Sequence, residues 1–165
     1  MFDAPFGVNV WAPLLWTRLA WDASMRESGG VVINNASGAA MSVRRNLHLY
    51  AASKAALVHL TRCLALELWP KVRVNAVAPG IVRTQISEPL WKEHEDMVDA
   101  TTSLGRIGQV DDIAATIAFL VSPAASYITG QTIAVDGGRL LDATVQPHAR
   151  LGDDARHASG VPGIS

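Results

Sequence analysis

Residues 50–69 read YAASKAALVHLTRCLALELW, and the reading of this stretch decides the fold. The spacing of Leu57, Leu60, Leu64 and Leu68 predicts a helix from about Leu49 to Leu68, roughly 28 Å long, which Pro70 ends. Ala51, Ala52, Ser53, Ala55 and Ala56 crowd its start and let a neighbouring backbone or a flat ligand approach closely. Cys63 fits as a small buried side chain. Tyr50 and Lys54 stand four apart, so both side chains leave one face about one turn apart. A phenol ionises near pKa ~10, too high for proton exchange at neutral pH, and an adjacent ammonium favours the phenolate. The pair is a candidate general acid/base, although the spacing alone recurs by chance in many helices.

Working outward, Val31-Val32-Ile33-Asn34 is a short, β-branched apolar run bounded by glycine, which reads as a buried parallel strand. Ser37 sits just past its carboxyl end, where open α/β sheets bind ligands. Further upstream a helix is predicted from near Ala12 to before Gly29, because Pro13 suits a first turn and Gly29-Gly30 makes a stop. Trp11, Leu14, Leu15 and Leu19 form its apolar face, and Trp16, Ala20 and Ala23 broaden it beyond one stripe.

Downstream, Val72 to Val77 reads as the next strand, and a strand–helix–strand crossover of this length implies parallel, right-handed pairing. Pro79-Gly80 turns the chain at that strand's carboxyl end. Residues 85–105 are polar and mixed. A helix over Val110 to Val121 follows, with Asp111 and Asp112 at its positive end, then a strand at Thr132 to Val135 and the turn Asp136-Gly137-Gly138. From about Ala143 onward glycine, proline and charge predominate, so residues 1–142 read as one domain and 143–165 as a flexible tail.

The 165 residues are one domain by length, enough to bury roughly two-thirds of the unfolded surface. Net charge is −1 with Lys and Arg scattered, which leaves no basic footprint for nucleic acid or an anionic membrane. Cys63 is the only cysteine, excluding an internal disulfide and making the cytoplasm the default location. The five histidines lack metal-ligand spacing, so no metal is expected. Asp3, Pro13 and Arg18 argue against reading the apolar N-terminal stretch as a signal peptide or membrane span.

In this order, the Ser37 segment VVINNASGAA, the Tyr50-x-x-x-Lys54 helix, RVNAVAPGIVRT and GRIGQVDDIAATIAFLVSPAASYITGQTIAVDGG closely resemble the catalytic half of the short-chain dehydrogenase/reductase family, from about Asn9 to Gly138. The resemblance implies a Rossmann-like, doubly wound parallel α/β sheet and hydride exchange between an NAD or NADP cofactor and a small alcohol or carbonyl. It gives Tyr50 the proton transfer, Lys54 support of the phenolate and the nicotinamide ribose, Ser37 orientation of the substrate oxygen, and Asn9 a relay water. Pro79, Gly80, Val82 and Thr84 would lie along the nicotinamide. Residues 85–105 would be a substrate lid. The helices around Trp16 and Leu60 would pair with their copies in a homodimer or homotetramer.

The family's opening strand, T-G-x-x-x-G-x-G turn and helix, which hold the pyrophosphate, have no counterpart in these residues. Met1 falls at roughly the level of the fourth strand, so the sheet is expected to be incomplete, with an open edge beside Val31. A composition 49% hydrophobic with five Trp agrees with missing cover, and equally with dimerisation. A second reading is therefore a truncated, catalytically silent module that only binds or oligomerises.

Overall fold

The computed structural model describes residues 3–43 and 46–141. The tail predicted at 143–165 lies outside these. The N-terminal helix is longer than expected: Asp3–Phe6, Ala12–Ala20 and Arg26–Ser28 are α-helical and are joined without a break by wider π-helical turns at Gly7–Trp11 and Trp21–Met25. Pro13 thus lies inside the helix rather than at its start. A proline leaves the carbonyl four residues earlier without its donor and crowds it. The wide turn over Gly7–Trp11, where the Ala12 N–H reaches back to the Gly7 carbonyl, falls where that crowding must be absorbed. The helix stops at Gly29, whose φ of +71° and close approach to the Lys71 carbonyl exclude a side chain.

Three strands follow the predicted positions: β1 at Gly30–Asn35, β2 at Val72–Pro79 and β3 at Thr132–Val135. They form one parallel sheet in the order β1-β2-β3, with Gly30 opposite Val72 and Ala76 opposite Thr132. Among the described residues β1 has a partner on one edge only, and its apolar side chains are only partly covered. The sheet is the Rossmann-like α/β arrangement in incomplete form.

Alternation along the strands sends apolar side chains to two faces. On one face Val32, Val72 and Val74 pack with Leu60, Leu64 and Ala65 of the long helix, His48–Glu67, and with Leu14, Trp21 and Met25 of the N-terminal helix. On the other, Ile33, Val77 and Ile133 pack with Ile113, Ile117 and Leu120 of the last helix, Val110–Val121. Leu60 packs toward the chain's own core, because it lies three and four residues from Leu57 and Leu64, on their side of the helix. The outward face of that helix carries Ala52, Ala55, His59, Arg62 and Leu66.

β2 is buried almost throughout, and two polar residues within it are held by the last helix and the approach to β3. The Arg73 guanidinium donates to the carbonyls of Leu120, Ser122 and Ile128, satisfying the end of the last helix. Asn75, fully buried, donates to the Ile128 carbonyl at 2.8 Å and accepts from the Gln131 N–H at 2.9 Å. Asn75→Ala leaves both backbone groups without their partner and should cost about 2–4 kcal/mol of stability. Urea denaturation of the two proteins checks this; a loss below about 1 kcal/mol contradicts it.

Candidate active site

A cavity of about 700 Å³ opens at the carboxyl ends of the three strands. Each element delivers its part for a local reason. β1 ends at Asn35, and Ser37 then starts a short 3₁₀ turn, its Oγ accepting the Ala39 N–H at 3.2 Å. That bond uses an acceptor site, so the hydroxyl proton remains available to a group in the cavity. The long helix brings Tyr50 and Lys54 to the same wall. β2 ends at Pro79, and Gly80 follows with its N–H on the Val135 carbonyl; a Cβ there would meet Asp136 Cα at 2.9 Å, so only glycine lets the loop pass the end of β3.

Lys54 Nζ donates to the Asn35 carbonyl at 2.7 Å, which ties the helix to the end of β1 and leaves two ammonium protons for other partners. Partial burial pulls its pKa below the ordinary lysine range. The same ammonium stands 5.8 Å from the centre of the Tyr50 ring. Tyr50 is 38% exposed, open to the cavity. Beneath it, Ser53 Oγ donates to the Tyr50 carbonyl at 2.8 Å and accepts from Asn9 Nδ2 at 2.9 Å.

Seven of the eight residues singled out from the sequence thus line one cavity: Ser37, Tyr50, Lys54, Pro79, Gly80, Val82 and Thr84. Asn9 does not. Its side chain binds the N-terminal helix to the turn that carries Tyr50. Thr84 caps the next 3₁₀ helix, Gln85–Leu90, through reciprocal bonds with Ser87, and Ser87 Oγ also reaches the Val82 carbonyl.

The sequence reading missed several wall residues. Ser42, whose hydroxyl donates to the Gly38 carbonyl at 3.1 Å, had no motif to mark it. Asp136 was legible only as a turn residue, yet it lines the cavity while its carboxylate accepts the Gly138 and Leu140 N–H groups. Leu47, Ile86, Leu90, Ile113 and Leu140 supply apolar wall. Outside the cavity, Arg106 and the Gln109 N–H hold the Asp112 carboxyl down to about 2, at the start of the last helix. Among the described residues no cluster of His, Cys, Asp or Glu could hold a metal, and no helix is long and apolar enough to cross a membrane.

Residues 1–139 match the family model described as enoyl-(acyl carrier protein) reductase. Dehydrogenase/reductase SDR family member 4 of Homo sapiens is 40% identical over 141 residues, covering 84% of this chain and 51% of the relative. The protein of the same name from Caenorhabditis elegans is 40% identical over 144 residues, covering 84% and 55%. The chain spans about half the length of the curated relatives it matches. Among solved structures, a 4-hydroxyisoleucine dehydrogenase mutant complexed with NADH and succinate superposes with a TM-score of 0.80 at 31% identity, over 87% of this chain and 61% of that one. ElxO with NADP bound gives 0.74 at 28% identity, over 81% and 56%. With its parallel sheet, its Tyr50/Lys54 helix and these relatives, the chain belongs to the short-chain dehydrogenase/reductase family.

Proposed function

We propose that the chain carries the acid/base site of an NAD(P)-dependent oxidoreductase that interconverts an alcohol and a carbonyl. The observation that supports this reading is the convergence of Ser37, Tyr50 and Lys54 on one cavity, with Lys54 pinned to Asn35. In the reducing direction the substrate carbonyl oxygen accepts hydrogen bonds from the Ser37 hydroxyl and the Tyr50 phenol. The cofactor, when bound, supplies a hydride to the carbonyl carbon. Tyr50 gives its proton to the oxygen as negative charge grows there, and the Lys54 ammonium offsets the charge left on the phenolate. In the oxidising direction Tyr50 takes the hydroxyl proton. Asn9 acts on Tyr50 through Ser53, by fixing the turn that carries it; a water held at Asn9 would extend this to proton relay.

The donor set fits the nicotinamide side of a dinucleotide. Lys54 has protons to spare for ribose hydroxyls, while Pro79, Gly80, Val82 and Thr84 line the same cavity. The pyrophosphate side is different, because no glycine-rich turn feeding a helix N-terminus occurs in the 165 residues. A second reading is a silent binding or oligomerisation module.

Two expectations separate these readings, and a third concerns assembly. In any active form of the protein, Tyr50→Phe should remove nearly all turnover with a carbonyl substrate while leaving the fold intact, since one hydroxyl is lost and little volume; near-original turnover defeats the assignment. A ligand at a hundred times its Kd stabilises a protein by ~2.7 kcal/mol, a clear melting shift. Millimolar NADH or NADPH should give no such shift with this chain. A robust shift would mean that nicotinamide-side contacts suffice and would remove the ground for the silent reading. Finally, Trp16 is 70% exposed and Leu66 78% exposed on adjacent helices, more apolar surface than a solitary chain usually leaves open. We propose that these faces pair with their copies, and light scattering should give at least a dimer at micromolar concentration; a well-folded monomer contradicts it.

A further inference from the structure

Within residues 85–105, the stretch expected to form a substrate lid, residues 85–99 are anchored by an arrangement that the proposed chemistry does not use. Arg83 forms a two-pronged ion pair with the Glu95 carboxylate, twelve residues on, and its guanidinium stacks 5.2 Å from the centre of the Trp91 ring. Trp91 Nε1 donates to Ser87 Oγ at 3.1 Å, and Ser87 closes the cap with Thr84. One guanidinium thus fastens the segment at Trp91 and at Glu95 to the loop that leaves β2. A planar fork suits this, holding carboxylate and ring at once as an ammonium could not.

The fastening has a consequence for the cavity. It holds the 3₁₀ helix Gln85–Leu90 so that Ile86, 92% exposed, and Leu90, 63% exposed, line the cavity opposite Leu47 and Leu140. Apolar side chains so open in a concave site favour an apolar ligand. The charged lining residues Lys54, Asp136 and Arg139 come from the long helix and the segment after β3, whereas the lid contributes Ile86, Ser87 and Leu90, none of them charged. A charged substrate body held against these lid residues would lose water and gain no counter-ion from them.

We propose that Arg83 is a positioning residue that sets substrate preference: it fixes the lid as an apolar wall, so the site takes a carbonyl compound whose body is uncharged and apolar. This rests on the oxidoreductase reading for the carbonyl and goes beyond it for the body. The test is calorimetric titration of the 165-residue chain with acetylnaphthalene, an apolar aryl ketone, and with pyruvate, a small anionic one. A saturable ketone site is expected, with pyruvate bound about tenfold more weakly or worse. Ile86→Asp, at an exposed position that tolerates the change in folding, should lose about fivefold in ketone affinity or more. Arg83→Glu should lose as much and show faster amide exchange confined to residues 85–99. Adding Glu95→Arg to Arg83→Glu should recover most of both. No ketone binding by the unaltered chain, unchanged affinity in Ile86→Asp, pyruvate binding as tightly as the ketone, or no recovery in the paired reversal overturns the proposal. The titration needs neither cofactor nor turnover, so its failure is distinguishable from that of the Tyr50→Phe experiment.

Discussion

Strand β2 is the constraint on which the rest depends. It has a neighbour on each edge and helices over each face, and Val74, Asn75, Ala76, Val77 and Ala78 are fully inaccessible. A strand so buried must have every polar group satisfied from within the protein. The β1 and β3 ladders do this for most of it, while Asn75 and Arg73 take up the carbonyls and the amide where the last helix and the approach to β3 lack partners. β2 then leaves the sheet at Pro79–Gly80, where the absence of a side chain lets the loop press against Asp136. The cavity exists because that loop, the end of β1 and the start of the long helix meet above the strand ends.

Within the cavity, position is established by hydrogen bonds to backbone rather than by packing. Lys54 is held by the Asn35 carbonyl, Ser37 by the Ala39 amide, and the turn bearing Tyr50 by Ser53 and through it Asn9. Each of these tethers is short in sequence or crosses between neighbouring elements, so Lys54, Ser37 and the turn bearing Tyr50 are held in place by the chain itself. Pre-organisation of this kind lowers the cost of reaching a reactive geometry.

Much of this was legible from the residues. The apolar runs at Val31 and Val72 and the four-residue spacing of Tyr50 and Lys54 carry strong periodic signals, and ordered motifs placed Ser37 and Gly80 beside them. Less was legible where the deciding partner is distant. Pro13 reads as a helix start by local rules, but the helix runs through it because a wide turn absorbs the strain. Leu60 reads as part of a broad apolar face, and only packing against Val72 and Val74 assigns it inward. Asn75 carries no local signal at all, since its meaning lies in groups more than fifty residues away.

The sequence alone determined the parallel α/β arrangement and the helix that pairs a phenol with an ammonium. These depend on period and spacing over a few residues, which local stereochemistry enforces. Only the tertiary structure decided that Asn9 supports the turn of Tyr50 through Ser53 rather than entering the cavity, that Asp136 and Ser42 belong to its wall, and that Arg83 and Glu95 pair across twelve residues. Those outcomes turn on contacts between segments whose relative placement is set by burial of β2, a quantity summed over the whole chain and carried by no single stretch of it.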